Sequence, residues 1–313
     1  MRLTRKKCRC CGSLAFVRKR SIRVSPFFAK FGLQFDLFNG FPREYSYVTK
    51  LDRSKRASSF FLDMLPPASR FLNRFLRSFL LIPYGYCESC EFLAPWFEIS
   101  NDQLLDFYTF YLSEDYKAKR LLMEKAYISA VQSHGSKEEF FIRQQEYEKF
   151  IEEDVIQLLN RFEVSKLKLL DYGGGESGIQ PNKSLVETRT LEVSDESDPE
   201  TFHDFEQFHL VQSLHVLEHV GNPLATTKHM LELCIAEGLV FIEVPLEYPG
   251  WIQDKEPVLP DYCNEHINKF TEKSIRKLAE NLNTEIIRIG SYTINTLHRD
   301  QLTVIRLLMR KSR

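Results

Sequence analysis

The sequence predicts an α/β fold with a mainly parallel sheet over residues 166–313, preceded by a cysteine-bearing module (1–100) and a helical connector (101–165). Three observations carry this. From 166 onward, apolar strand-like runs alternate with helical patterns, the signature of stacked βα units. A glycine turn, LLDYGGGESG at 169–178, closes the first of these runs. Two C-x-x-C pairs, Cys8/Cys11 and Cys87/Cys90, bracket the first hundred residues. A length of 313 residues suits about two domains.

The elements follow in order. Residues 1–20 hold Cys8, Cys10 and Cys11. Residues 69–82, SRFLNRFLRSFLLI, place Phe71, Leu72, Phe75, Leu76, Phe79 and Leu80 on one helical face, with Arg70, Arg74 and Arg77 on the other. Such a helix docks on an anionic membrane surface or packs on the protein with its arginines in water. Its aromatics do not interleave with the arginines, so nucleic acid is not an expected partner. Ser136 and Glu139 form an S-x-x-E capping box ahead of FFIRQQEYEKFIEEDVIQLLNRF. Strands are expected at KLKLLDY, TRTLEV, FHLVQSL, GLVFIEVP, TEIIRIGSYT and LTVIRLLMR, and helices at 222–236 and 271–282.

Composition narrows the class. Apolar residues make up 43% and charged residues 27%, which suits a globular protein. No apolar run reaches the ~18 residues of a spanning helix, and the basic N-terminus lacks a secretory core. A cytoplasmic, reducing compartment is the expectation, with the option of peripheral membrane contact through 69–82. Seven cysteines there are ligands or free thiols rather than disulfides. Residues 1–80 carry 18 Lys/Arg against 4 Asp/Glu, and the remainder 24 against 39. A first quarter this basic suits an anionic partner: a small phosphate-bearing substrate, a lipid surface or nucleic acid.

Each C-x-x-C pair can close a knuckle on tetrahedral Zn²⁺ through thiolates at ~2.3 Å. The expected ligands are Cys8, Cys11, Cys87 and Cys90, with Cys10 as a substitute for Cys11. Unliganded thiols are the other reading. Cys234 falls in a helical pattern as a small buried hydrophobe.

The glycine turn admits two ligand classes. Gly173, Gly175 and Gly178 satisfy G-x-G-x-x-G, which in dinucleotide enzymes meets a pyrophosphate. No G-K-[ST] follows, so a nucleoside-triphosphate loop is excluded. Asp171 ends the strand two residues before Gly173. A carboxylate there repels phosphate and attracts a ligand carrying cations, such as the ammonium and sulfonium of S-adenosylmethionine (SAM).

Four blocks in order carry a resemblance. D-x-G-x-G at 171–175 is followed by HVLEHVGNP, then IEVP, then EHINKFTEKSI. Residues ~165–313 resemble the class I SAM-dependent methyltransferases, most closely those of sugar C-methylation and surface-polysaccharide pathways. YCESCEFLAPWFEISNDQLLDFYTFYLSEDY resembles the zinc-binding region that precedes the same domain. The resemblance implies a Rossmann-like, mainly parallel seven-stranded sheet and a zinc-ribbon-like module with structural Zn²⁺. It implies a cofactor site at Asp171, Gly173, Gly175, Glu192, His215 and Leu217. It also implies that His266, with Glu265 before it, is the general base, Tyr262 orients the acceptor, and His219 is the second choice of base. The acceptor would be a nucleotide-linked or lipid-linked sugar.

Two departures keep other classes in view. Ser177 stands where the third glycine of the family turn falls, and only 46 positions separate Asp171 from Leu217. IQPNKSLVETRT, with Pro181, makes a poor first helix. A catalytically decayed scaffold or partner protein is therefore one alternative. A nicotinamide-dependent sugar oxidoreductase is another, resting on G-x-G-x-x-G alone and weakened by Asp171.

Overall fold

The computed structural model describes residues 5–25, 80–96, 137–174, 178–191, 207–246, 266–294 and 302–312, with Ile99, Leu104, Ser113, Glu114 and Ala118 besides. Gly175, Glu192, Tyr262, Glu265 and most of 69–82 lie outside them.

Among the described residues, two sheets are formed. The first is antiparallel, in the order β1-β2-β3-β4: β1 (Arg5–Lys6), β2 (Phe16–Ser25), β3 (Leu80–Cys87) and β4 (Leu93–Pro95). The C-x-x-C pairs sit at its two turns, 8–11 between β1 and β2, and 87–90 between β3 and β4. The expected helix over 69–82 is corrected at its end, because Leu80 to Ile82 pair with Val24 and its neighbours as strand β3. A ladder partner satisfies backbone groups that helical periodicity alone cannot reveal.

The second sheet has the order β6-β5-β7-β8-β10-β9. Its members are β5 (Leu167–Tyr172), β6 (Val186–Leu191), β7 (Phe208–Leu214), β8 (Cys234–Pro245), β9 (Glu285–Ile294) and β10 (Leu302–Arg310). β6, β5, β7 and β8 run parallel, whereas β10 runs antiparallel to both β8 and β9. β9 therefore runs in the same direction as the other four, so the sheet is mixed, with β10 as the one reversed strand of the six among the described residues. The cause is the closing β9-β10 pair, whose short connection forces an antiparallel return.

Among the described residues, three helices cover the sheet. α1 (Lys137–Phe162) buries Tyr147, Phe150, Ile151, Val155 and Leu158, a 3.6-residue stripe, against Leu169, Leu210 and Phe241. On the other face lie α2 (Pro223–Leu233) and α3 (Glu272–Asn281), together with the cysteine turns. Asn222 caps α2 by accepting from Ala225 N, and Thr271 and Ser274 make a reciprocal box at α3. Cys234 is buried as expected, but it ends α2 and opens β8 rather than lying within the helix.

The sheet interior holds a charge pair. Arg306 on β10 and Glu243 on β8 face each other in register, with Arg306 Nε donating to Glu243 Oε2 at 2.8 Å. Both are buried, and removing one partner strands the other charge. Arg306→Ala should therefore cost about 3 kcal/mol by denaturant unfolding. A loss below about 1 kcal/mol, the level of an exposed pair, would refute this role.

Candidate functional site

The site grows from the carboxyl ends of three adjacent parallel strands. β5 carries Asp171 next to its last residue, Tyr172, and enters the glycine turn; β7 ends at Leu214 and enters the HVLEHV loop; and β8 carries Glu243. The crevice outside strand carboxyl ends is where open α/β sheets hold ligands.

Asp171 is 4% exposed, and its carboxylate lies against Gly174, where an added Cβ would overlap it. Only glycine permits this seat. Gly173 adopts φ 72° and donates its N–H to Leu191 O at 2.6 Å, tying the turn to β6. Gln212, beside Asp171 in register, accepts from Tyr147 Oη at 2.6 Å and donates to Ile179 O. The phenol of Tyr147 is pushed well above its ordinary pKa by burial, with Asp171 and Glu243 adding to the effect. It thus stays a neutral donor.

The HVLEHV loop opens with a reversal. His215 has φ 57°, a left-handed conformation uncommon for a non-glycine residue. Its N–H reaches Glu243 O at 2.9 Å. Its ring lies between two carboxylates, with Nε2 at 3.1 Å from Glu243 Oε1 and Nδ1 at 3.2 Å from Glu218 Oε1. Burial opposes the imidazolium, but the flanking carboxylates outweigh it and raise the pKa of His215. Burial would likewise raise both acids; instead their contacts with His215 and nearby cations hold each at about 2. The result is a buried carboxylate–imidazolium–carboxylate chain, extended by Arg306 and by Arg143 at 3.6 Å from Glu243.

Beyond Glu218 lie two more imidazoles. His219 and His266 stack edge to face with ring centroids 4.8 Å apart. Burial, with His266 beside it, pushes His219 down to about 3 and keeps it neutral. His219 and His266 come from separate segments that meet only in the fold. Asn268 joins them: its N–H donates to Glu218 O, and its Nδ2 donates to Leu217 O at 2.9 Å and Val220 O at 2.6 Å.

The four cysteines also converge. Cys8, Cys11, Cys87 and Cys90 place their sulfurs within 4.8 Å of one another. Cys8 to Cys90 is 3.8 Å and Cys11 to Cys87 is 3.7 Å. A tetrahedron with ~2.3 Å Zn–S bonds has edges of about 3.8 Å, so the sulfurs are spaced for that ion. Mutual contacts push Cys8 and Cys90 up, and Cys11 down, while Cys87 falls to about 6. Cys10 touches the tetrad without completing it: its N–H donates to Cys8 Sγ at 3.4 Å and its thiol donates to Ser274 O at 3.3 Å on α3.

The cysteine turns grip the loop. Arg9 donates to Pro95 O at 2.6 Å and to Gly221 O at 3.3 Å, and its own carbonyl accepts from Leu224 N. Leu93 and Lys269 exchange backbone bonds, Lys273 pairs with Glu91, and Phe92 packs on Phe270.

The structure thus brings Asp171 and Gly173 to one strand end, and gathers His215, His219 and His266 around Glu218. Leu217 points into the core, fully buried. Gly175, Glu192 and Glu265 lie outside the described residues. Sequence reasoning did not assign Glu243, Arg306, Asn268 or Arg9. A charged residue inside an apolar strand, as in FIEVP and LTVIRLLMR, was the available signal for the first two. Asn268 and Arg9 carry none.

Residues 144–289 match a family model described as a methyltransferase domain. Among curated proteins, none matches this chain. Similar solved structures include magnesium protoporphyrin IX methyltransferase from Synechocystis PCC 6803 with bound SAH. It is 14% identical over 61% of this chain and 96% of that one, with TM-score 0.37. TehB from Haemophilus influenzae is 15% identical over 53% and 67%, with TM-score 0.34. Coclaurine N-methyltransferase bound to N-methylheliamine and SAH is 10% identical over 51% and 72%, with TM-score 0.31. Likenesses this distant carry no argument about the chemistry. The family match covers 144–289, just under half of the chain, and likens the α/β unit to a methyltransferase domain.

Asn268→Ala would leave two loop carbonyls without a donor and should cost about 2 kcal/mol by thermal unfolding. Unchanged stability would show that the loop is held by other means.

Proposed function

We propose that this chain, whose residues 144–289 resemble a methyltransferase domain, transfers a methyl group from SAM to a small, phosphate-bearing polar acceptor, a nucleotide-linked or lipid-linked sugar. The observation that carries the reading is the Asp171 carboxylate seated on Gly174 at the carboxyl end of β5. A negative group at that turn disfavours a pyrophosphate and favours a cationic ligand. The residues present fit that group: a buried acid, a left-handed Gly173, and a turn anchored to β6.

When bound, SAM supplies an electrophilic methyl on a sulfonium. The chain's own residues do the rest. Asp171 meets the ligand's positive end, and the glycine backbone allows close approach, with Gly175 and Glu192 proposed to complete the cofactor site. His215 and Leu217 contribute by shaping the loop that closes over it. His266 acts as base for the acceptor, with Glu265 preceding it in the chain and His219 packed edge to face on its ring, and holds the proton that the acceptor loses. Positioning the acceptor in line with the methyl accounts for much of the remaining acceleration.

The cysteine tetrad is proposed to hold structural Zn²⁺. Its contribution is to fix the turns whose Arg9 and Leu93 grip the catalytic loop. The basic residues of 1–80 attract the acceptor's phosphate. The arginine-bearing stretch 69–82 is proposed to touch an anionic membrane surface, which suits a lipid-linked acceptor at the inner face of a cytoplasmic membrane. No described helix is long and apolar enough to cross one.

One observation favours a second reading. Residues 178–185, between β5 and β6, form turns rather than a helix, which suits a scaffold that has lost its cofactor site. Titration calorimetry separates the two. SAM should bind, NADH should not, and Asp171→Asn should weaken SAM by at least about tenfold, since losing a charged partner costs 1.5–3 kcal/mol. Absence of SAM binding to the unaltered chain would favour the scaffold. Metal analysis should find zinc in the purified chain and one zinc fewer in a Cys87→Ser, Cys90→Ser variant. Equal content would remove zinc from these cysteines.

A further inference from the structure

The trio of Glu218, His219 and His266 has a use beyond proton transfer. Each offers one ligand atom, and these atoms all lie within 4.8 Å of one another. Glu218 is fully buried, and its Oε2 has no hydrogen-bond partner. Its Oε1 sits 3.2 Å from His215 Nδ1 and 4.0 Å from His219 Nε2. A buried carboxylate oxygen without a donor is costly, and a cation removes that cost.

We infer that Glu218, His219 and His266 form a second metal site, distinct from the cysteines, which binds a divalent transition-metal ion and through it an oxygen of the acceptor. This rests on the methyl-transfer reading and names the acceptor's binding group. Two imidazoles and one carboxylate suit Zn²⁺, Co²⁺ or Fe²⁺ rather than Mg²⁺ or Ca²⁺, which take oxygen ligands. Three protein ligands leave coordination positions open for a substrate. A tetrahedral site with ~2.05 Å bonds has edges of about 3.3 Å, so the two rings draw inward on loading.

The remaining geometry supports it. His215 neutralises the far side of Glu218 and fixes its orientation, as groups around metal ligands do. Asn268 binds the loop of Glu218 and His219 to the segment of His266, so ligands from distant parts of the chain are held together.

The chemistry balances without a redox partner. A hydroxyl of the acceptor held by the cation loses its proton to water, because the ion stabilises the oxyanion. The oxygen's electron pair then forms the bond to the methyl carbon, and the carbon–sulfur pair returns to sulfur. In this form His266 is a ligand, and the cation takes over the task of the base.

The test uses the full chain as purified, incubated with Co²⁺, dialysed and analysed for total metal and visible absorption. The unaltered chain should hold one metal more per chain than His266→Ala. Its cobalt bands should show nitrogen and oxygen ligation without thiolate charge transfer. Glu218→Gln, which keeps shape and removes charge, should weaken cobalt by at least about tenfold. His219→Gln serves as a further variant should either of the others fail to fold. Equal metal content in the unaltered chain and His266→Ala would overturn the inference, as would bands of thiolate character alone. SAM calorimetry on the same samples separates the failures. SAM binding without the additional metal defeats this inference only, whereas no SAM binding defeats the methyl-transfer reading.

Discussion

One contact organises the site: the His215 imidazole held between the carboxylates of Glu218 and Glu243, at 3.2 and 3.1 Å. Two acids this deeply buried cannot both stay ionised unless cations answer them. His215 answers both, with Arg306 as the second cation on Glu243. To do so it takes a left-handed backbone, a strain that the surrounding contacts must hold. The contact couples the end of β7, the carboxyl end of β8 and the HVLEHV loop into one unit. Every other functional side chain is placed relative to that unit.

The cysteine module acts on the same loop from outside. Arg9 contacts Gly221 and Leu224, and Leu93 pairs with Lys269. The Arg9 bonds fall at the far end of the loop from His215, so the loop is fastened at both ends, while the Leu93–Lys269 pair holds the segment that carries His266. Gly221 has no room for a Cβ, because the carbonyl of Ile99 lies where it would sit. Stability of the cysteine turns therefore feeds directly into the geometry around His219 and His266. A site built on a loop needs such support, since loops are otherwise the mobile part of a fold.

Much of this was legible in the chain. The alternation from 166 onward announced the strands, and β7 and β10 fall where FHLVQSL and LTVIRLLMR stand. Local signals are dependable there, because apolar runs bounded by polar turns leave few alternatives. The strand end at Asp171 and the pairing of the two C-x-x-C turns were also readable. The register of β8 against β10 was not. Glu243 and Arg306 are 63 residues apart, and each alone looks like a charge misplaced in a core strand. The end of the 69–82 stretch read as helix because its periodicity is helical, yet β2 captures Leu80–Ile82 as strand.

By itself the sequence determined which residue types are present at the strand ends: an acid before the glycine turn, a histidine-rich loop, and thiols in pairs. Those follow from local spacing, which does not depend on how the chain closes. Only the tertiary structure decided which of them meet. His219 and His266 come together across 47 positions because Asn268 ties their loops. Glu218 is shut off from water where His215, His219, His266 and Asn268 meet around it. Charge and metal chemistry both depend on desolvation and on distances of a few ångströms, and neither is encoded before the chain has packed.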